Sequence, residues 1–388
     1  LYTMIAWFRY ICLIVSLIIT MPELLSAQRL VSQRQEDVEA GLLYNESVYI
    51  LSNYSCLSSN SPEKLSLDEL LRKQIEGFYF YLKRDTETNV LLLRKPDGTF
   101  TPFSESLEAI KTALDADSTK VMTLFLDFYV ETELESSFKE IGLMEYVLEY
   151  DTKNGWPSLK DMLSSGKRLV VFEVQKHLNS PSWLHNMRDF VEHTDADWGN
   201  QPEGVESFDE RLKKNLSLFT GYKFLETSRG NSNDISALAR QTPYLIESFK
   251  RAWIRDGRVP NFILVDKYYA WLDVSLVTFR NFDIIYGAVT NNNELLNYVN
   301  WDGMSNYTTG KYCFPLEPGA ELMLSPISPG YRIEPATVYV SGTQRKAFAS
   351  DFKARPLRID EDIEIYLPFE GDEKDGSSNH NLTVSRNV

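Results

Sequence analysis

Groups able to move a proton near neutral pH are few in this chain. There are four histidines, His177, His185, His193 and His380, and none precedes position 177. His177, His185 and His193 recur every eight residues among Asp189, Glu192, Asp195 and Asp197. His and Asp bind Zn²⁺, but helix positions eight apart sit about two turns from each other, too far to share one ion without folding back. Solvated histidines are the expectation. A second constellation is Asp127 with Arg84 and Arg94. Arginine offers a planar fork matched to phosphate, so these three could form a phosphate-binding, carboxylate-assisted pocket. The plainer alternative has Asp127 capping the loop after its strand, with both arginines paired to surface acids.

The elements that must position these groups are legible as periodicity. Val121–Phe125 and Leu169–Phe172 are short apolar, β-branched runs, the mark of strands buried on both faces of a parallel sheet. Between them Glu131–Val147 and Ser158–Leu163 carry helical spacing, and Gly166 supplies a helix stop. Val48–Leu51 reads as a first strand, Gly77–Leu82 as a second with Val90–Leu93 as its hairpin partner, and Leu107–Leu114 as a helix. The run Leu216–Phe224, a helix at Tyr244–Arg255 and a strand at Asn261–Val265 follow. This rhythm and span fit an α/β fold, a TIM-type (β/α) barrel of about 250 residues. A doubly wound sheet fits the alternation too, but no Gly-rich phosphate fingerprint follows the first strand. In a barrel, catalytic groups sit at the C-terminal strand ends, which is where Asp127 falls. Asn53, just after the first strand, joins Arg84 and Arg94 as a ligand-binding candidate.

Beyond Tyr269 strands shorten and turns multiply. Ile284–Thr290, Gly310–Pro315, Ala320–Leu324, Thr337–Val340 and Ala347–Lys353 are punctuated by Asn291-Asn292-Asn293, Glu317-Pro318-Gly319 and Ser328-Pro329-Gly330. That spacing predicts a small antiparallel β-sandwich. With 388 residues the chain is long enough for two or three domains. Its net charge of −15 argues against a nucleic-acid partner or an anionic-membrane clamp. Arg9 precedes an apolar run from Tyr10 to Ile19, and Leu25-Ser26-Ala27 offers a cleavage site before Gln28. Residues 1–27 thus read as a signal peptide, with Met4 as initiator and no membrane-spanning segment in the mature chain. Of three cysteines, Cys12 leaves with the signal; Cys56 and Cys313 could pair in an oxidising compartment, but two free or buried thiols are the expectation. Sequons stand at Asn45, Asn53, Asn215, Asn306 and Asn381, and would matter only in a eukaryotic secretory pathway.

Several of these stretches resemble a known family. VMTLFLDFYV (121–130), then WPSLKDM and GKRLVVF (156–172), resemble the X domain of phosphatidylinositol-specific phospholipases C. So do Lys73-Gln74-Ile75-Glu76-Gly77 and the closing strand Pro260-Asn261-Phe262-Ile263-Leu264-Val265-Asp266. The resemblance covers most of Tyr44 to Tyr269 and implies a phosphodiesterase barrel. In that family two histidines in the first two strand-end loops act as general base and acid on a phosphodiester. Here the first loop reads Leu51-Ser52-Asn53-Tyr54-Ser55, with Tyr54 or Ser52 in the histidine position, and the second reads Leu92-Leu93-Arg94. The arginine expected after Gly77 is replaced by Phe78-Tyr79, and the neighbouring acidic position by Lys83-Arg84. Arg cannot exchange a proton near neutral pH, and Tyr is a poor base there. Of the family's acidic positions, Asp127 and Asp266 remain as candidate catalytic groups.

Two further resemblances follow the barrel. Gly287-Ala288-Val289-Thr290 and the string GKYCFPLEPGAELMLSPISPGYRIEPATVYV resemble carboxypeptidase-regulatory-like modules of bacterial surface proteins. The segment from Ile363 has the composition of a disordered acidic tail and also resembles the opening of a laminin-G-like domain. The expected organisation is a signal peptide to 27, the barrel over 28–280, the β-module over 281–356, and a linker with a truncated next domain over 357–388. The expected function is a secreted or cell-surface protein whose barrel serves as a binding or structural module for phosphorylated headgroups or glycans. The competing expectation is an active phosphodiesterase with a rebuilt acid-base site. No cofactor is expected; Ca²⁺ is compatible with such a site, but no residue pattern supports it.

Overall fold

The computed structural model describes residues 34–52, 54–56, 66–73, 75–128, 134–175, 177, 180–195, 218–222, 250, 253–254, 259, 261–265, 281–304, 307–308, 310–342 and 346–358. These fall into two compact units, one within Leu1–Ala252 and Val259–Phe282, the other within Trp253–Arg258 and Asp283–Val388. Residues 1–27, expected to be a signal peptide, most of the helix expected at Tyr244–Arg255 and the segment from 359 onward lie outside the described residues.

The first unit alternates strand and helix. After helical residues 34–39 (α1) come β1 (Tyr49–Ser52), α2 (Leu67–Arg72), β2 (Gly77–Arg84), β3 (Leu91–Arg94), β4 (Phe100–Pro102) and α3 (Phe103–Ala116). Then follow β5 (Met122–Asp127), α4 (Leu134–Ile141), α5 (Leu159–Ser165), β6 (Leu169–Glu173) and β7 (Leu184–Asn186). The unit closes with α6 (Met187–Phe190), β8 (Val191–Asp195), β9 (Leu218–Tyr222) and β10 (Phe262–Val265). Local chemistry sets the helix ends. Ser66 and Glu69 form a reciprocal capping box at the start of α2. Gly166 takes a left-handed conformation, φ 73°, that ends α5.

The main sheet runs β7-β6-β5-β2-β1-β10-β9-β8, with every neighbouring pair parallel. The parallel strands expected at Val121 and Leu169 are β5 and β6, in register from Met122↔Leu169 to Leu126↔Glu173. The expected hairpin is present as well: β3 pairs antiparallel with β2, and β4 adds a third strand to that ribbon. The expectation of a closed barrel goes further than the pairing does. Among the described residues the end strands β7 and β8 are not bonded to each other, so the architecture shown is an eight-stranded parallel sheet. It is nevertheless strongly curled. Phe125 of β5 lies 5.2 Å, ring to ring, from Phe262 of β10. Those strands are three places apart, about 14 Å in a flat sheet, so their side chains meet only because the sheet bends toward them. Phe172 of β6 reaches the same ring at 6.1 Å from four places away.

This concave face holds the core. Tyr44, Tyr49, Phe125, Phe172 and Phe262 are all buried, and the Tyr44 hydroxyl meets Thr123 Oγ1 at 2.6 Å. The convex face of β2 carries Phe78, Phe80 and Leu82, and Phe103 of α3 packs edge-on against Phe80 at 5.9 Å. Arg34 of α1 is buried beside β1, ion-paired to Glu76 at 2.5 Å and lying over the Tyr49 ring at 4.7 Å.

The second unit is all β, from β11 (Asp283–Asn291) through β12 (Glu294–Leu295), β13 (Val299–Trp301), β14 (Tyr307–Thr308), β15 (Lys311–Leu316), β16 (Glu321–Leu324), β17 (Pro326–Ile327), β18 (Tyr331–Glu334) and β19 (Val338–Ser341) to β20 (Lys346–Pro356). Its core gathers Ile285, Val289, Trp301, Tyr312, Phe314 and Phe352. The purely antiparallel sandwich expected here is corrected in one respect: β20 returns parallel to β11. Within this unit Cys313 is a buried thiol outside any disulfide, with the Trp253 indole N–H 3.1 Å from its sulfur. The Cys56 side chain lies outside the described residues.

Gly77 is where sheet pairing leaves least room. A Cβ there would overlap the Thr123 carbonyl oxygen and Leu51 Cδ2. Gly77→Ala should therefore cost about 1–3 kcal/mol as β1, β2 and β5 shift apart, measured as a lowered urea midpoint with unchanged m. An unaltered midpoint would show that the three strands are looser than their register implies.

Candidate functional site

Strand alternation decides which side chains reach the concave, C-terminal mouth of the sheet. In parallel pairing, residues in register share a face. Tyr79 pairs with Phe125 and Tyr81 with Asp127, and Phe125 belongs to the concave core. Tyr79, Tyr81 and Asp127 therefore point into the mouth. There the Tyr79 hydroxyl donates to Asp127 Oδ2 at 2.8 Å. The other carboxylate oxygen, Oδ1, is buried without a hydrogen-bond partner among the described residues. A buried carboxylate oxygen left unpaired is costly, and a donor supplied by a ligand would satisfy it.

The first strand-end loop contributes a brace and no base. Ser55, in the short turn Tyr54–Cys56, donates from Oγ to the Arg94 carbonyl at 3.0 Å and accepts the Tyr81 N–H at 2.8 Å, tying the turn to β2 and β3. Tyr54 is buried, edge-on to Phe78 and Phe80. Burial, with Asp97 and Asp68 nearby, pushes its hydroxyl up to about 12. Ser52 is also buried. Neither residue at the position singled out by the sequence can take a proton near neutral pH.

The two arginines are not brought together. In the β2–β3 ribbon Arg84 pairs with Leu91, and Lys83 with Leu92. Arg94 lies two residues beyond Leu92 and so shares the Lys83 face, opposite to Arg84. Arg84 also lies three residues past Tyr81 on β2, on the face away from Asp127. Arg94 is exposed, while Arg84 is half-buried. Asn53 and Asp266 lie outside the described residues.

The expectation of solvated histidines is corrected for two of the three. His185, on β7, is buried among Trp156, Phe172 and Phe190, with Nε2 3.2 Å from the Leu148 carbonyl. His177 stacks on Phe128 at 4.3 Å, with Nδ1 2.9 Å from Glu173. Glu173 is itself buried and also accepts from Ser180 Oγ at 2.5 Å and Asn186 Nδ2 at 3.2 Å. It pairs with Leu126 across β5, on the face away from Asp127, so this cluster fastens the connection between β6 and β7 from outside the mouth. The side chain of His193 is not described. Among the described residues no group of three or more His, Cys, Asp or Glu is arranged to hold a metal ion. No described helix is long and apolar enough to cross a membrane.

Sequence reasoning missed Tyr79 as the partner of Asp127. The signal was present: counting by twos from Gly77, whose lack of a side chain marks close packing, gives Tyr79 and Tyr81 as the polar-tipped residues of the concave face.

Residues 93–202 match the family described as PI-PLC X 1. Among solved structures, a phosphatidylinositol-specific phospholipase C from Listeria monocytogenes is 14% identical, with a TM-score of 0.40, over 63% of this chain and 98% of that one. A phosphatidylinositol-specific phospholipase C of S. aureus is 16% identical, with a TM-score of 0.38, over 62% and 94% respectively. Both structural likenesses are distant, and the PI-PLC X-like character of this chain stands on the sequence match. Among curated proteins none matches.

His185 gives the unit a pH dependence with a definite sign. Burial lowers its proton affinity, only partly opposed by the Leu148 carbonyl and Glu149. As pH falls through the ordinary histidine value of about 6.5, the unfolded chain takes up the proton first, so stability present above that pH is lost below it. Urea midpoints should fall between about pH 7.5 and about pH 5.5. His185→Gln, which keeps a donor for Leu148, should lose less over the same interval, and equal slopes would contradict the assignment.

Proposed function

We propose that the phospholipase C-like unit is a binding module of a secreted, multidomain protein and that it does not turn over phosphodiesters. The observation that carries this reading is the chemistry of the mouth. No histidine precedes residue 177, the Tyr54 hydroxyl is buried and held up at about 12, His177 is held by Glu173 on the face away from Asp127, and His185 is buried among aromatic rings and bonded to the Leu148 carbonyl. General acid-base catalysis needs a group near the working pH within reach of the reacting oxygen, and the described mouth offers Asp127 and two tyrosines instead. Asp127 Oδ1 accepts nothing among the described residues, so a ligand hydroxyl is its natural complement. Of the two ligand classes the sequence raises, the mouth suits the hydroxyls of a polyol ring or glycan better than a phosphate, which the carboxylate repels. Asn53 and Asp266 remain proposed members of the same mouth.

A second reading, a diester hydrolase with a rebuilt site, is favoured by the same unpartnered carboxylate, which could serve as a base. Incubation of the purified protein with phosphatidylinositol or a glycerophosphodiester separates the two. The binding reading expects no product above the blank, and Asp127→Asn to weaken retention on immobilised inositol by about tenfold. Turnover that Asp127→Asn abolishes would overturn it in favour of the hydrolase.

A further inference from the structure

We propose that the cleft beside the β2–β3 hairpin, on the convex side of the sheet, is a second binding site that takes the phosphate group of a phosphomonoester. Its volume is about 260 Å³, and Arg84, Phe103, Ser104, Ser137 and Glu140 are among the residues that line it. That is small for a drug-sized ligand and suits a phosphate with a short remainder.

Arg84 is the reason to expect an anion. The residue is half-buried, and its guanidinium has neither a hydrogen-bond nor an ion-pair partner among the described residues. Arginine stays charged at any accessible pH and cannot shed its proton to escape partial desolvation. Its fork matches two phosphate oxygens. The Ser104 and Ser137 hydroxyls on the same lining are likewise uncommitted among the described residues. Pro102 gives the first turn of α3 no side-chain cap, so the backbone N–H of Ser104 adds a donor to that wall.

The neighbouring acids are mostly engaged. Asp85 accepts the N–H groups of Glu87 and Thr88 at 2.9 and 3.3 Å, Glu105 accepts the Thr101 hydroxyl at 2.6 Å, and Glu135 pairs with Lys139. Glu140, exposed on the rim, is the carboxylate that faces the cleft. Arg84 and Glu140 should therefore act on the same bound anion with opposite signs.

Calorimetric titration of the whole protein with inorganic phosphate and with glycerol phosphate, at low ionic strength to limit screening, tests this. Arg84→Gln should weaken binding about tenfold, and Glu140→Gln should strengthen it about two- to fivefold. Arg94→Gln, the same charge change on the opposite face of the ribbon, should stay within about twofold. Co-sedimentation with phosphatidylcholine vesicles carrying phosphatidic acid distinguishes the source: uptake that depends on Arg84 means lipid-borne phosphate, and titration heats without uptake mean a soluble ester. Absence of binding in every arm, equal losses in the two arginine variants, or weakening by Glu140→Gln would overturn the site. Because the cleft and Asp127 lie on opposite faces of β2, such a failure would leave the reading of the mouth untouched.

Discussion

Parallel pairing of β2 with β5, in register from Gly77↔Thr123 to Tyr81↔Asp127, governs the chemistry at the C-terminal edge of the sheet. The side-chain period of a strand is two, so a slip of one residue would exchange every face. Gly77 helps to lock the register, because only a hydrogen fits between the Thr123 carbonyl and Leu51. From that lock, Tyr79 and Tyr81 go to the concave side with Asp127, and Phe80, Leu82 and Arg84 go to the convex side with α3. The hydrophobic work is done on both faces at once: Phe125 and Phe172 converge on Phe262 within the curl, while Phe78 and Phe80 stack at 5.4 Å outside it. A strand clad in aromatics on both faces has little freedom to re-register.

Much of this was legible in the sequence. Strands β5 and β6, the β2–β3 hairpin and the Gly166 stop follow from local signals of composition and spacing. Short strands were not legible. β7 and β8 have three and five residues and flank a four-residue helix, so no period completes within them, and their histidines read as loop. His185 is the instructive case: a polar residue in a short strand, buried because its partner strand β6 places Phe172 beside it. At the site, spacing singled out Asp127 and offered Arg84 and Arg94 as partners, of which the register turns Arg84 to the other face. Arg84 and Arg94 look adjacent when a hairpin is imagined as a line; the register of two antiparallel strands puts them on opposite faces. Pairwise register is a long-range property that a reading of single segments does not contain.

The placement of Arg84 across β2 from Asp127 has a chemical consequence. A phosphodiester site must hold an anion and move protons in the same small volume, which requires cation and acid-base group on one face. Here the concave side carries a carboxylate and phenols, with Lys83 and Arg94 exposed on the same side of the ribbon, and the convex face carries the half-buried Arg84 with serine hydroxyls. Joining Arg84 to Asp127 would require a one-residue slip of β2, which would drive Phe78 and Phe80 into the curl and present Tyr79 and Tyr81 to α3. Overpacking that aromatic core with two more rings costs about 1–3 kcal/mol for each, so the slip would consume a large part of a domain's net stability of about 5–15 kcal/mol. The core that fixes the fold therefore also keeps the two polar sites apart. On the two proposals made above, hydroxyls on one face and phosphate on the other would belong to separate ligands.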